Sequence, residues 1–318
     1  MTAPASTTTV TGAQLAAARL RKQGGGGRTR RAKAGRLADW IGVGPPMVLF
    51  ALFIVVPMII AVVLSFVSWN GVGSMTWAGG ANWVQFFHDP VARSAIGITV
   101  KLVLLSYVIQ TPISIGLGLF TAGKERYKAV YAAIFIAPLL ISTAGVSLMW
   151  ESFLDPQFGP LHSTGQNWLG DPNTAIYALA LIIAWQFIPF HTLLYAVGRR
   201  QIPAVLYEAA RIDGASPVQM FVRVTLPQLR YTIVTSGILM VVGALTYFDI
   251  IYIMTQGGPG TSTRVLSLDM YLTAFQSDQF GYASVLAVVL GVIGIAIAMI
   301  MVRFSGFGRM QSQQEGVA

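Results

Sequence analysis

The chain is built from long apolar runs separated by shorter polar connections. Six runs stand out, at about Pro45 to Val67, Ser94 to Phe120, Ala129 to Trp150, Ala175 to Val197, Tyr231 to Met254 and Ala283 to Val302. Each matches or exceeds the roughly 20 residues that a helix needs to cross bilayer hydrocarbon. The runs are continuously apolar, whereas a barrel strand alternates apolar and polar positions, so a transmembrane barrel is excluded. The pattern predicts an all-α membrane protein, with a six-span domain over residues 45–304 between a polar N-terminal segment (1–44) and a short C-terminal tail (305–318).

One connection is unlike the others. Between the fourth and fifth runs, residues 199–230 form a polar, partly basic stretch. Pro203 suits the first position of a helix beginning near Ile202, because its missing N–H is a donor that a helix start leaves unpaired anyway. Strong helix formers continue through Ile212. Asp213-Gly214 ends that helix, since glycine accepts the left-handed conformation of a C-cap. Ser216, Pro217 and Gln219 then read as N-cap, N1 and N3 of a second helix, with Ser-x-x-Gln forming a capping box. The second helix is expected to stop before Pro227, as the residue preceding a proline avoids the α region. In this hairpin Ala209 and Ala210 let another surface approach the backbone, Glu208 offers an acceptor, and Leu206, Met220 and Phe221 offer apolar contact. Docking to a partner and packing on the chain's own bundle both fit that shape.

Composition and charge add direction. The 318 residues are 54% hydrophobic and only 10% charged, against about 25% charged in soluble domains. The net charge of +9 could suggest nucleic acid, but its placement argues for topology. Eight of the 21 Lys and Arg residues precede Trp40 (Arg19, Arg21, Lys22, Arg28, Arg30, Arg31, Lys33 and Arg36). All the others except Arg93, Lys101 and Arg264 fall in the C-terminus, in the second-to-third connection, or in the hairpin connection. Basic segments stay on the cytoplasmic side, so both termini and the hairpin are expected there. The Gly-, Ala-, Thr- and Arg-rich leader is expected to be disordered. No cleavable signal peptide is expected, because the first apolar run begins near Gly44 and is too long for one.

The outer connections have another character. Trp69, Trp77, Trp83, Phe86 and Phe87 in and beside the first suit an interfacial segment. The second, Ser152 to Asn173, reads as a compact turn-rich loop. The third, Thr255 to Gly281, opens on Gly257-Gly258-Pro259-Gly260 and is expected to be helical around Val265 to Phe275. Pro112, Pro138 and Pro189 fall inside runs, where proline frees a carbonyl and often kinks the helix.

Catalytic chemistry is not legible. With no cysteine there are no disulfides or thiolate-held metals. His88, His162 and His191 have no ligand spacing. The phosphate loop G-x-x-x-x-G-K-[ST] is missing, and so are triad, paired-carboxylate and HExxH patterns. Catalytic, metal and cofactor residues are therefore all expected to be none, and any energy for active work must come from a partner or an ion gradient. Polar and aromatic residues inside the fourth and fifth runs suit passage of a sugar, which has apolar ring faces and hydroxyl edges. They are Trp185, Gln186, Phe190 and His191 around Pro189, and Thr246, Tyr247 and Asp249. Ionisable residues within a span are functional candidates by default. Lys101 and Glu151 lie near enough to span ends to reach the interface.

Glu208-Ala-Ala-x-x-x-Gly214, followed at the family's spacing by Val224 and Leu226-Pro227, resembles the EAA loop of the membrane subunits of bacterial ABC importers. Val224 stands where that family usually has isoleucine. Met254-Thr-Gln-Gly-Gly-Pro259 is similar to the outer loop of the maltose-type sugar permeases in that superfamily. The resemblance covers about Pro45 to Phe304. It implies a bacterial inner-membrane subunit without an active site. A first hairpin helix (Glu208, Ala209, Ala210, Gly214, with Leu226 and Pro227) would seat in a cytoplasmic ATPase. The implied partners are a second permease subunit, two ATPase subunits that bind ATP and Mg, and an extracytoplasmic solute-binding protein. It also favours Gln186, Phe190, Thr246 and Tyr247 as cavity-lining residues. The run of asparagines that some maltose carriers have in the fifth span is missing, so maltose is not implied. An ion-coupled secondary transporter is the alternative. It predicts inverted repeats and discontinuous helices, and neither is visible in the sequence.

Overall fold

A computed structural model describes residues 43–123 and 125–305. The leader expected to be disordered and most of the C-terminal tail lie outside the described residues. The described residues divide into two units, 43–60 and 61–305.

Helix α1 spans Val43–Leu64. Its turn over Ala51–Val55 is widened to π geometry, with the Val56 N–H donating to the Ala51 carbonyl. The widened turn stands immediately before Pro57, whose ring would otherwise meet the carbonyl four residues back. The first run had been expected to stay helical to Val67. Instead Val67–Ser68 (β1) pairs antiparallel with Thr76–Trp77 (β2), Val67 opposite Trp77. Asn82, on helix α2 (Ala81–His88), donates from Nδ2 to the carbonyls of Ser65 and Val67, each at 3.0 Å. The first outer connection thus becomes a short ribbon clamped by a helix.

Helix α3 (Pro90–Thr121) starts where the Asp89 carboxylate accepts from the Val91 N–H at 2.8 Å, with Pro90 at N1. Helix α7 (Ala175–Arg200) keeps Pro189 inside an unbroken helix. These two long helices pack most extensively against each other. At Gly118 their backbones meet: a Cβ there would lie 2.6 Å from Tyr195 Cβ and 3.0 Å from the Thr192 carbonyl oxygen. Lipid is as apolar as leucine, so close packing through small residues holds membrane helices together better than burial of apolar surface does. The largest core joins α3 and α7 to later elements through Leu102, Leu179, Ile183, Ile250, Ile251 and Leu268.

Two runs expected to be continuous are broken. The third becomes α4 (Arg126–Phe135), α5 (Ala137–Leu140) and α6 (Thr143–Phe153). Its halves, Val130–Leu140 and Thr143–Phe153, are bent by 93°. Ile141 is extended there (ψ 137°), and Ser142 restarts the helix by accepting from the Gly145 N–H. The fifth run divides into α10 (Arg230–Leu245) and α11 (Asp249–Met254), with Thr246, Tyr247 and Phe248 between them. Helix α12 (Leu266–Phe275) matches the expected outer helix, and α13 (Phe280–Ser305) closes the described chain. Among the described residues, four helices are long and apolar enough to cross a membrane, or up to six if each bent pair is one span.

Candidate functional site: a capped hairpin and a broken span

The hairpin consists of α8 (Ala204–Ile212) and α9 (Pro217–Gln228). Pro203 is the N-cap of α8, not its first helical residue, and the helix begins at Ala204 rather than near Ile202. Proline's own φ serves in the extended conformation observed (φ −58°, ψ 135°). At the corner, Gly214 has φ +75°. Its N–H donates to the Arg211 carbonyl (3.0 Å) and the Ala215 N–H reaches back to Ala210 (2.9 Å), the paired bonds of a Schellman cap. One residue later the capping box is complete. The Ser216 N–H donates to Gln219 Oε1 (2.8 Å), and the Gln219 N–H to Ser216 Oγ (3.3 Å).

The second hairpin helix does not stop before Pro227. Its turn over Phe221–Thr225 widens to π geometry, the Leu226 N–H donating to the Phe221 carbonyl. Leu226 stays helical (φ −62°, ψ −45°), and the helix runs on through Pro227 to Gln228. As in α1, the wide turn accommodates a proline two residues beyond it. Leu226 and Pro227 therefore lie inside a helix that meets α10 at a 67° bend.

The two arms are joined internally. The Tyr207 and Thr225 hydroxyls lie 2.8 Å apart. The Arg199 guanidinium covers the other partner's ring, 4.0 Å from the Tyr207 centroid. Neither Tyr207 nor Thr225 stood out in the sequence, because eighteen residues separate them and no periodic pattern marks the pairing. Glu208 and Ala209 are exposed and Ala210 is half-buried. Glu208 borders a groove of about 1280 Å³ that is also lined by Lys128, Arg199, Arg200 and Arg211. No hydrogen bond or ion pair engages the Glu208 side chain among the described residues.

The span candidates separate into two groups. Gln186 and His191 on α7 are buried and committed inside the fold. Gln186 Nε2 donates to the carbonyl of Ile141 (3.4 Å), the acceptor released where the third run breaks. His191 Nδ1 pairs with Ser236 Oγ on α10 at 2.9 Å. Phe190 is half-buried, with its ring beside that of His191. Thr246 and Asp249 are exposed at the break in the fifth run. Between them, Tyr247 stacks on Phe187 with ring centroids 5.3 Å apart, which sets α7 beside the break. Lys101 extends its ammonium over the Tyr177 ring at the start of α7, 4.4 Å from the centroid, so it reaches along the bundle toward a span end.

The outer loop is cinched by one buried threonine. Thr263 Oγ1 donates to the Gly258 carbonyl (2.8 Å) and lies 2.8 Å from Thr255 Oγ1. Gly257 has φ +88°, and a Cβ there would press on Arg264 and Leu268 at 3.2 Å. Gly258–Pro259 is cis. Both residues border an outer pocket of about 360 Å³ with Glu151, Asp155 and Asn167. Arg264 pairs with Asp269 at 2.7 Å. Burial pushes the Asp269 carboxyl above its ordinary range, while the guanidinium opposes that rise.

Long apolar helices, two broken runs and a capped polar hairpin make up the fold, and the chain's relatives are ABC transporter permeases. The crystal structure of a bacterial ABC transporter that imports the acidic polysaccharide alginate shares the fold, with a TM-score of 0.75 at 23% identity, over 90% of this chain and 100% of that one. The chain belongs to the family of binding-protein-dependent transport system inner membrane components, which it matches over residues 114–307. Its relatives include YurN of Bacillus subtilis, named as a probable ABC transporter permease protein. That relative is 32% identical over 276 residues, covering 83% of this chain and 94% of its own. The diacetylchitobiose uptake system permease protein NgcF of Streptomyces coelicolor is 28% identical over 334 residues, covering 96% of this chain and 95% of its own.

Proposed function

We propose that this chain forms half of the translocation pathway of an ATP-driven importer for a sugar or oligosaccharide, and that the hairpin over 199–230 seats it on a cytoplasmic ATPase. The observation that carries the reading is the self-capped hairpin, with Glu208 and Ala209 exposed on its first arm, in a chain that has no phosphate loop of its own. Residues 199–230 and both termini face the cytoplasm in this reading, as the distribution of Lys and Arg supports. A second permease subunit completes the pathway, and an extracytoplasmic binding protein delivers the solute. ATP and Mg belong to the two ATPase subunits. Closure of the ATPase pair displaces the hairpin and biases the spans between outward- and inward-facing states, a rigid-body switch driven by differential binding.

The solute passes the break in the fifth run, where Thr246, Tyr247 and Asp249 supply aromatic and hydrogen-bonding groups, with half-buried Phe190 on α7, while buried Gln186 and His191 hold the wall from within through Ile141 and Ser236. A sugar is supported by the diacetylchitobiose uptake of the NgcF system and by the alginate import of the structural neighbour. The test is Glu208→Lys in the reconstituted complex. The subunit stays in the membrane, but hydrolysis no longer drives uptake. Normal uptake with normal hydrolysis would overturn the reading.

A further inference from the structure

Two neighbouring recesses at the root of the hairpin meet at Arg200, which lines both. The first is the groove between α8 and the corner where α3 passes to α4. Four cations line it, Lys128, Arg199, Arg200 and Arg211, against two carboxylates, Glu125 and Glu208. Glu125 is already held by Lys128 at 2.9 Å. The second is a cleft of about 70 Å³ between α7 and the end of α4. Its walls are apolar, with Phe135, Ile136, Leu193 and Val197 among them, and Phe135, Leu193 and Val197 are exposed along its rim.

The guanidinium groups at the junction are held in place. Arg200 Nη2 donates to the Thr121 carbonyl at 3.3 Å, which engages one of its five N–H groups. Arg199 lies on the Tyr207 ring. Neighbouring aromatics give the depth. Phe120, Tyr127 and Tyr131 are exposed, with Tyr131 6.2 Å from Phe120 and 6.4 Å from Tyr127 between centroids. Lys128 Nζ stands 5.5 Å from the Phe120 centroid. Exposed aromatics at the end of a span mark the headgroup level of a bilayer, so the cations beside them meet lipid phosphates.

Cations that open onto an apolar cleft at headgroup depth suit a ligand with a negative head and a hydrocarbon tail. A free anion or an acidic protein segment would use the groove and leave the cleft empty. The opposite face of α8, with exposed Val205, Ala209 and Ile212, lies outside the groove and stays open to a protein partner. We infer that the hairpin root binds an anionic phospholipid of the cytoplasmic leaflet, its phosphate against Arg200 and Lys128 and one acyl chain in the cleft beside Leu193 and Val197. The inference rests on the cytoplasmic placement of the hairpin.

The complete importer is reconstituted in vesicles of equal parts phosphatidylcholine and phosphatidylglycerol and extracted in mild detergent. Retained lipid of each class is counted by native mass spectrometry. Arg200→Gln removes a cation from the junction. Arg223→Gln removes one from the same hairpin outside the groove. Val197→Trp fills the cleft and keeps every charge. Wild type is expected to retain phosphatidylglycerol over phosphatidylcholine. Arg200→Gln lowers that retention about five-fold, Val197→Trp lowers it by a similar factor, and Arg223→Gln leaves it unchanged. Equal retention of both lipids, equal loss in Arg223→Gln, or displacement by inorganic phosphate beyond that by chloride at matched ionic strength would overturn the lipid site and leave the importer standing. So would release of the second permease subunit or an ATPase subunit by Arg200→Gln or Val197→Trp. The chain has no cysteine, so Ala209→Cys reports sidedness. Its labelling by a membrane-impermeant maleimide from outside intact cells would overturn both readings.

Discussion

The hydroxyl of Tyr207 lies 2.8 Å from that of Thr225, tying the two arms of the hairpin together just ahead of Pro227. Thr225 is buried, and its other contact, to the Met220 carbonyl at 3.4 Å, is long. Tyr207→Phe keeps the ring under Arg199 and deletes the bond, at a cost of about 1 kcal/mol. Faster amide exchange across Ala204–Ile212 and fewer solute molecules moved per ATP are the expected outcomes. Unchanged exchange would remove the pair from any role in holding the hairpin.

Gly214 separates backbone strain from side-chain chemistry. Nothing lies within 4 Å of a Cβ placed there, yet φ is +75°, a conformation that costs a β-branched residue roughly 1–2 kcal/mol. Gly214→Val is expected to uncouple hydrolysis from uptake, and Gly214→Asn, which tolerates the left-handed region, is expected to preserve most coupling. Equal loss in both variants would place the effect in side-chain bulk against a partner instead of in the cap.

Tyr247→Ala removes the ring stacked on Phe187 at the break. Uptake is expected to weaken or shift in solute preference, while the ATPase subunits still copurify. Identical kinetics for every solute tried would strike Tyr247 from the pathway.

Gly118 and Gly116 share a helix but not an environment. A Cβ at Gly118 meets Tyr195 and the Thr192 backbone, whereas one at Gly116 meets nothing within 4 Å. Gly118→Ala is expected to cost about 1–3 kcal/mol through overpacking and to lower the unfolding temperature in detergent. Gly116→Ala is expected to be near neutral in the same melt.

Thr263 is fully buried and bonds the carbonyl of Gly258. Thr263→Val preserves shape and leaves that carbonyl without its donor, a loss of about 1–3 kcal/mol. Faster proteolysis within Gln256–Arg264 is the readout, compared with Thr261→Val on the exposed side of the loop.

Local chemistry was the legible part of the sequence. The Schellman corner and the capping box follow from residues that act on their immediate neighbours, and α12 was foreseen within a residue. The breaks were not legible, because hydropathy counts apolar residues without recording which carbonyls lose their donors. Pro138 with Ser142-Thr-x-Gly145 was the available signal for the first. At the second, Thr246-Tyr-Phe248 offered little, since all three residues are common within membrane helices. The assumed stop before Pro227 failed for a different reason. The rule against a helical residue before proline is a preference, which Leu226 overrides with ordinary α dihedrals, and the π-turn ahead of it relieves the other clash, that of the Pro227 ring with the carbonyl four residues back. Gln186 shows how a candidate changes meaning once the break is known: its amide serves the Ile141 carbonyl inside the protein.

At the hairpin corner four successive N–H groups, those of Asp213, Gly214, Ala215 and Ser216, all find acceptors within the corner itself. None waits for a partner to be satisfied, so binding cannot change the corner's angle without breaking bonds already made. Compliance is thereby displaced to the two ends of the hairpin, at extended Pro203 and at Leu229 in the 67° bend. In the proposed coupling, the element would be stiff in the middle and jointed at its roots, so that a push on its tip would arrive at α7 and α10 as rotation.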